Sequence, residues 1–113
     1  LTPGDDKENL YVLLLNNRHC PLCEPLRLSR GTADSAPAFA RDVFKEAIRW
    51  GAVAVMVAHN HPSGDPTPSK ADFAFTERLV ALARIAEVRF LDHLVLGDAG
   101  FVSIRSLDPS LFK

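Results

Sequence analysis

Ala52-Val53-Ala54-Val55-Met56-Val57-Ala58 runs directly into His59-Asn60-His61-Pro62-Ser63-Gly64-Asp65-Pro66-Thr67-Pro68-Ser69-Lys70-Ala71-Asp72. The opening run is apolar on both alternations, with Val53, Val55 and Val57 pointing one way and Ala52, Ala54, Met56 and Ala58 the other. A strand covered on both faces is a central strand, and an alanine-rich side lets a helix approach closely. Pro62, Pro66 and Pro68 then stiffen a loop. Ser69 stands three residues before Asp72, the spacing of a helix N-cap and the third position of the first turn. The stretch predicts a strand, a rigid turn and a helix start, which is the nucleus of an α/β fold.

Downstream, Phe75, Leu79, Leu82 and Ala86 recur on one stripe, with Val80 and Ala83 beside them, and predict a helix from Ser69 to about Ala86. Val88 to Leu91 and His93 to Leu96 predict a strand with a bend. Phe101-Val102-Ser103-Ile104 then closes a hairpin over Gly97-Asp98-Ala99-Gly100. Upstream, Phe39, Val43, Ala47 and Trp50, flanked by Phe44 and Ile48, predict an amphipathic helix from Ala38 to Trp50 that Gly51 stops. A polar loop, Arg30 to Pro37, precedes it. Leu10-Tyr11-Val12-Leu13-Leu14-Leu15 predicts a strand, Asn16-Asn17-Arg18 a turn, and Cys20 to Ser29 a returning strand that Pro21 and Pro25 push to the sheet edge. Leu1 to Lys7 is polar and is expected to fray. The resulting order, β-β-α-β-α-β-β, is that of an α/β sheet with helices on its faces.

At 113 residues the chain is one domain, and its start at Leu rather than Met suggests the C-terminal part of a longer protein. The composition, 47% hydrophobic and 24% charged, is that of a globular protein able to bury a core without disulfides. The formal net charge is -1, and the basic residues are scattered. A nucleic-acid surface normally shows a basic stripe, so charge gives no support for direct DNA binding. The longest apolar run, Gly51 to Ala58, is far short of the roughly 18 residues that span a bilayer. With no signal-peptide pattern either, the expected compartment is the cytoplasm. Cys20 and Cys23 form a Cys-x-x-Cys that lacks both a second ligand pair and the strand-to-helix context of a redox motif. They read as incidental thiols beside a hairpin, and His19 as an exposed turn residue.

The chemistry lies in the opening stretch. Residues i and i+2 of a strand face one side, so His59 and His61 can aim two imidazoles at one point, continuing the Val53, Val55 and Val57 face. Asp72, in the first turn of the next helix, sits where the helix dipole favours a carboxylate. Two neutral imidazoles and a carboxylate form an N,N,O set suited to Zn²⁺, with a position left for water. A simpler reading needs no metal: Ser-x-x-Asp before an apolar run is also a capping box. A hydrolytic metal site also needs a carboxylate base, and Glu8, Glu46, Glu77 and Asp92 are candidates among which pattern alone does not choose. Glu8 is in phase with Leu10, Val12 and Leu14, which would bring it to the rim of the sheet.

His59-x-His61, seven residues, Ser69, two residues and Asp72 match the His-x-His-x7-Ser-x2-Asp signature of the JAMM (MPN+) metalloprotease superfamily. The fuller wording, with Leu91-Asp92-His93 downstream, resembles the RadC-like JAB domain, and the resemblance runs from about Lys7 to Ser106. It implies a cytidine-deaminase-like three-layer α/β/α fold with a mixed sheet, and Zn²⁺ on His59, His61 and Asp72. It further implies Ser69 as a hydrogen-bonding residue beside the reacting oxygen, and Glu8, in Glu-x-Leu-Tyr-Val, as the general base. The activity implied is hydrolysis of an amide or isopeptide bond in a peptide or protein substrate. Two departures stand out: Ala40 occupies a position where the family often has proline, and the helix-hairpin-helix-like region that RadC-like proteins carry before this domain is not among these residues.

The alternative function is a non-catalytic interaction module in DNA repair or recombination, the role attached to the RadC name. Relatives that act as scaffolds lose the ligand set, whereas this chain retains it. A zinc deaminase would need His-x-Glu with a later Pro-Cys-x-x-Cys, and this chain has His-x-His with its Cys pair upstream. The resemblance gives Asp92 and His93 no ligand role, and His93 reads as a structural histidine at a strand start.

Overall fold

The computed structural model describes residues 8–28 and 36–113, with side chains from residue 40 onward in the first helix. The expectations for Leu1 to Lys7, for Ser29, for the loop through residue 35 and for the Phe39 side chain fall outside the described residues. Among the described residues, β1 (Leu10–Leu15), β2 (Leu26–Leu28), β3 (Ala54–Asn60), β4 (Arg89–Leu96) and β5 (Phe101–Ser103) form one sheet in the order β2-β1-β3-β4-β5. β3 and β4 are parallel and the other neighbours antiparallel, so the sheet is mixed and β3 is central. Two long helices, α1 (Ala36–Trp50) and α2 (Lys70–Ala86), follow β2 and β3, and a short α3 (Ile104–Leu107) with a 3₁₀ turn (Pro109–Phe112) closes the chain. This is the α/β order expected from the sequence, with two short helical turns added after β5. None of these helices is long and apolar enough to cross a membrane.

Leu10, Val12 and Leu14 of β1, Val55 and Val57 of β3 and Phe90 of β4 meet Val43, Phe44 and Ala47 of α1 and Leu79, Val80 and Ala83 of α2 in one core. The valine side of β3, rather than its alanine side, therefore carries both long helices, because the larger side chains fill the space between sheet and helix. The central strand is also displaced from its expected bounds. It begins at Ala54 and continues through His59 to Asn60, pairing with Leu10 on one side and with Val95 and Leu96 on the other. Val53 stays 44% exposed. Gly51 turns the chain at φ +67° while Ala52 N–H returns to Ala47 C=O, so the strand starts only after the helix is closed.

The returning strand of the first hairpin is shorter than expected. Pro21 makes one isolated bridge to Leu15, and the ladder resumes only at Leu26–Leu28. Pro21 and Pro25 lack the N–H groups a continuous ladder needs.

β4 contains the expected irregularity. Val55 pairs with Phe90 but Met56 pairs with Asp92, so Leu91 is an extra residue, a β-bulge. Since side chains alternate with period two, one inserted residue exchanges the faces of everything after it. The bulge thereby brings His93 opposite Val57 and Val95 opposite His59. Asp92 fastens it, accepting from His93 N–H, Arg105 N–H and the Ser103 hydroxyl.

The proline-rich loop after β3 rests on the β4–β5 connection, where Asp98 N–H donates to Gly64 C=O at 2.9 Å. A Cβ on Gly97 would lie 2.5 Å from Gly64 O and 2.7 Å from Pro66 Cδ. Both obstacles belong to the stiff loop. Gly97→Ala is expected to lower stability by about 1–3 kcal/mol, as overpacking a closed contact does. Urea unfolding reads this directly, and an unchanged midpoint would show that the approach is not tight.

Candidate metal centre

His59 occupies the penultimate position of β3 and is 4% exposed, held by ladder partners on both sides. His61 follows the strand, and its N–H still donates to Leu96 C=O at 3.1 Å. Asp72 arrives from α2, whose first turn is a complete capping box: Ser69 Oγ accepts from Asp72 N–H at 3.1 Å, and the Asp72 carboxylate accepts from Ser69 N–H at 2.7 Å. One ligand atom from each of His59, His61 and Asp72 lies within 4.8 Å of the others. The Nε2 atoms of His59 and His61 are 3.1 and 3.0 Å from Asp72 Oδ1 and Oδ2.

The ring nitrogens define what this cluster can hold. His61 Nδ1 is 2.9 Å from Asp65 C=O, and a carbonyl only accepts, so Nδ1 carries the hydrogen. Neutral His61 therefore turns an Nε2 lone pair toward a carboxylate oxygen. His59 Nε2 is buried and makes no hydrogen bond, despite its proximity to Asp72. Lone pairs facing carboxylate oxygens at about 3 Å repel unless a cation lies among them, either a proton or a metal ion. Two imidazoles and a carboxylate are a donor set that suits a divalent transition metal, so the residues fit a metal ion. Asp72 is prepared for that role as an anion. Its burial alone would raise its pKa, but the His59 ring and the Ser69 N–H outweigh burial and hold the carboxyl well below the usual range.

Behind His59 lies a layer that the sequence reading left aside. His59 Nδ1 is 2.8 Å from His93 Nε2, and His93 Nδ1 is 2.8 Å from Thr76 Oγ1, whose hydroxyl donates to Asp72 C=O at 2.9 Å. His93 and Thr76 are fully buried. Burial, and secondarily the proximity of His59, push the His93 pKa down to about 3, so the ring is neutral at neutral pH.

Glu8 is two residues before Leu10, the ladder partner of His59, and its Oε1 is 3.8 Å from His59 Nε2. Its side chain is 40% exposed. The next residue anchors it: Asn9 N–H donates to the Asn60 side-chain oxygen at 2.8 Å, and both residues are buried. Of the four candidate bases, Glu8 is the one that reaches the cluster. Glu46 pairs with Arg49, Glu77 is exposed on α2, and Asp92 is occupied at the bulge. Ser69 stands exposed at the rim as the helix cap. Cys20 and Cys23 are free thiols, and His19 is exposed; among the described residues they join no group of three or more ligands.

Three contributors escaped the sequence reading: Thr76, Asn60 with its Asn9 partner, and His93 as a neighbour of His59. The Leu91-Asp92-His93 wording flagged His93, but its placement depends on the bulge. Thr76 had a weaker signal, a polar residue one helical turn after Asp72 on the buried side.

The family model of the RadC-like JAB domain matches residues 2–108. The chain is 42% identical over 101 residues to a UPF0758 protein of Desulforamulus reducens, covering 89% of this chain and 44% of that protein. It is 48% identical over 94 residues to a UPF0758 protein of Vibrio cholerae, covering 83% and 59%. To a UPF0758 protein of Alcanivorax borkumensis it is 48% identical over 99 residues, covering 88% and 44%. The chain thus spans about half the length of the curated relatives it matches.

The low pKa of His93 has a consequence for stability in the metal-free state. The ring titrates near 6.5 when unfolded and near 3 when folded, so between these values the unfolded chain binds the extra proton. Stability is expected to fall as pH drops below 6.5, by up to about 1.4 kcal/mol per pH unit from this one group. Urea unfolding in chelator at pH 6.5, 5.5 and 4.5 should show a shallower decline for His93→Gln than for the parent. Equal slopes would contradict the assignment.

Proposed function

This chain belongs to the RadC-like JAB domain family, and on that footing we propose that it is a zinc-dependent hydrolase of amide or isopeptide bonds in a peptide or protein substrate. The observation that carries the reading is the pair of Nε2 atoms: that of His59 is buried without a hydrogen bond, and that of His61 lies 3.0 Å from an oxygen of the same Asp72 carboxylate. Such a constellation calls for a cation. Three protein donors from the N,N,O set are the number and type that catalytic Zn²⁺ sites use, whereas closed structural sites use four. When bound, the ion supplies Lewis acidity, making water acidic near neutral pH and polarising a carbonyl.

The chain's own groups divide the remaining work. His59, His61 and Asp72 hold the ion. Glu8, at 3.8 Å from His59 Nε2 and open to solvent, takes the proton of the attacking water on a carboxylate oxygen and passes it to the leaving amine. Ser69 Oγ uses a lone pair to cap Asp72 N–H, which leaves its hydroxyl hydrogen to donate to the oxyanion of the tetrahedral intermediate. Asn60 keeps Glu8 near the cluster by fixing the backbone of Asn9.

The purified protein should contain close to one zinc per chain, and His59→Ala should lose it while keeping its helical and strand content. Against quenched-fluorescent peptides and a lysine side-chain isopeptide, Glu8→Gln should retain zinc but lose about 10²–10⁴-fold in kcat, the usual contribution of a general base. A folded wild-type protein that takes up no zinc would defeat the proposal. Undiminished turnover by Glu8→Gln would remove Glu8 from the mechanism.

A further inference from the structure

His59 presents two ring nitrogens to two different environments: Nε2 to the ligand cluster, and Nδ1 to the buried ring of His93. Which nitrogen carries the hydrogen decides whether His59 can ligate at all, because a metal needs a lone pair on Nε2. The neighbours of His93 settle it. Thr76 has one hydroxyl hydrogen, and its bond to Asp72 C=O uses that hydrogen, since a carbonyl only accepts. Thr76 Oγ1 can then only accept from His93, so His93 carries its hydrogen on Nδ1. The neutral ring is left with a lone pair on Nε2, which faces His59 Nδ1 at 2.8 Å and must receive a hydrogen from it. His59 is thereby committed to the tautomer whose Nε2 is bare.

The reverse direction can be drawn, but it gives up the Thr76 bond to the Asp72 carbonyl and leaves His59 Nε2 without a lone pair for a metal. Thr76 would give its hydrogen to His93 Nδ1 and release the Asp72 carbonyl, and His93 Nε2–H would donate to His59 Nδ1. The hydrogen would then reside on His59 Nε2, 3.1 Å from Asp72 Oδ1, and would occupy the position from which the ring ligates. The Thr76 bond to the Asp72 carbonyl is the feature that selects the ligating direction.

We infer that His93 and Thr76 are positioning residues that fix the metal-ligating tautomer of His59. They form a relay that begins and ends on ligand residues, running from the Asp72 backbone carbonyl through Thr76 and His93 to His59 Nδ1. Metal-bound histidines commonly donate the second ring N–H to a carboxylate or carbonyl. Here the acceptor is a neutral imidazole, which brings no charge of its own into the core and obtains its direction from a hydroxyl. The inference rests on the metal reading above for its consequence, but the tautomer itself is a property of the metal-free protein.

Two readouts keep these apart. In metal-free protein at pH 8, ¹⁵N spectra of the imidazoles should place the His59 hydrogen on Nδ1; Thr76→Val should redistribute it, and Thr76→Ser should restore it. Zn²⁺ affinity, measured by competition with a chromophoric chelator, should fall about 10–100-fold for Thr76→Val and for His93→Leu. Thr76→Ser should stay within about threefold of wild type, and His93→Gln, which keeps an acceptor, should fall between the two. A His59 hydrogen on Nε2 in the metal-free wild type overturns the relay, as do folded Thr76→Val and His93→Leu variants that bind Zn²⁺ like the parent. A wild type that binds no Zn²⁺ yet shows the Nδ1 tautomer supports the relay and overturns the hydrolase reading instead.

Discussion

At the end of β3, two imidazole nitrogens lie about 3 Å from the two oxygens of one carboxylate, an arrangement that repels unless a proton or a metal ion lies among them. His61 has its hydrogen committed to Asp65 C=O on the far side of the ring, and His59 Nε2 makes no hydrogen bond. Burial sharpens the conflict, because electrostatic interactions strengthen as solvent is excluded. The surrounding structure is arranged so that the groups cannot move apart. His59 is clamped by ladder partners in β1 and β4, His61 by Leu96 C=O, and Asp72 by the first turn of α2. A cation at this point converts the repulsion into cohesion, so its binding and the stability of the fold are linked quantities.

The capping box and the candidate metal site are one arrangement rather than competing readings. Asp72 Oδ2 accepts from Ser69 N–H and faces His61, while Oδ1 faces His59. The N-terminal end of α2 favours a negative charge, and the Ser69 N–H stabilises it further, which together keep a mostly buried carboxylate ionised. An anionic ligand is what a divalent ion requires. Substituting Asp72 would therefore disturb helix and site together, and loss of structure would have to be separated from loss of metal.

Much of this was legible in the sequence because its signals are local. Alternating Val53, Val55 and Val57, the prolines of the loop and the Ser69-x-x-Asp72 spacing define strand, turn and helix start within one stretch, and the period-two rule brings the two histidines together. What was hidden depends on pairing across the sheet. The strand's true start at Ala54 reflects closure of α1 by Gly51, and the truncation of β2 reflects N–H groups that Pro21 and Pro25 lack. A bend in β4 is legible, but its nature as a bulge at Leu91 is not, because one extra apolar residue changes neither composition nor length enough to notice, yet it decides which face His93 occupies. Thr76 depends in turn on that geometry through His93, and Asn60 on the β1–β3 pairing that brings Asn9 beside it: each becomes meaningful only once its distant partner is known.

His59 divides the site into a closed side and an open side. Its Nδ1 looks toward His93 and Thr76, both fully buried; its Nε2 looks toward Glu8, whose side chain is substantially exposed, near the rim where Ser69 caps α2. Groups that must hold one arrangement benefit from the interior, where packing leaves a single rotamer and no water competes for hydrogen bonds. Groups that must exchange protons with a substrate need access, and a carboxylate in the interior would lose the charge a base requires. Under the hydrolase reading, this ordering also explains the tether from Asn9 to Asn60. A base with an exposed side chain just ahead of β1 would drift, so the residue beside it is pinned to the buried amide that separates the two histidines.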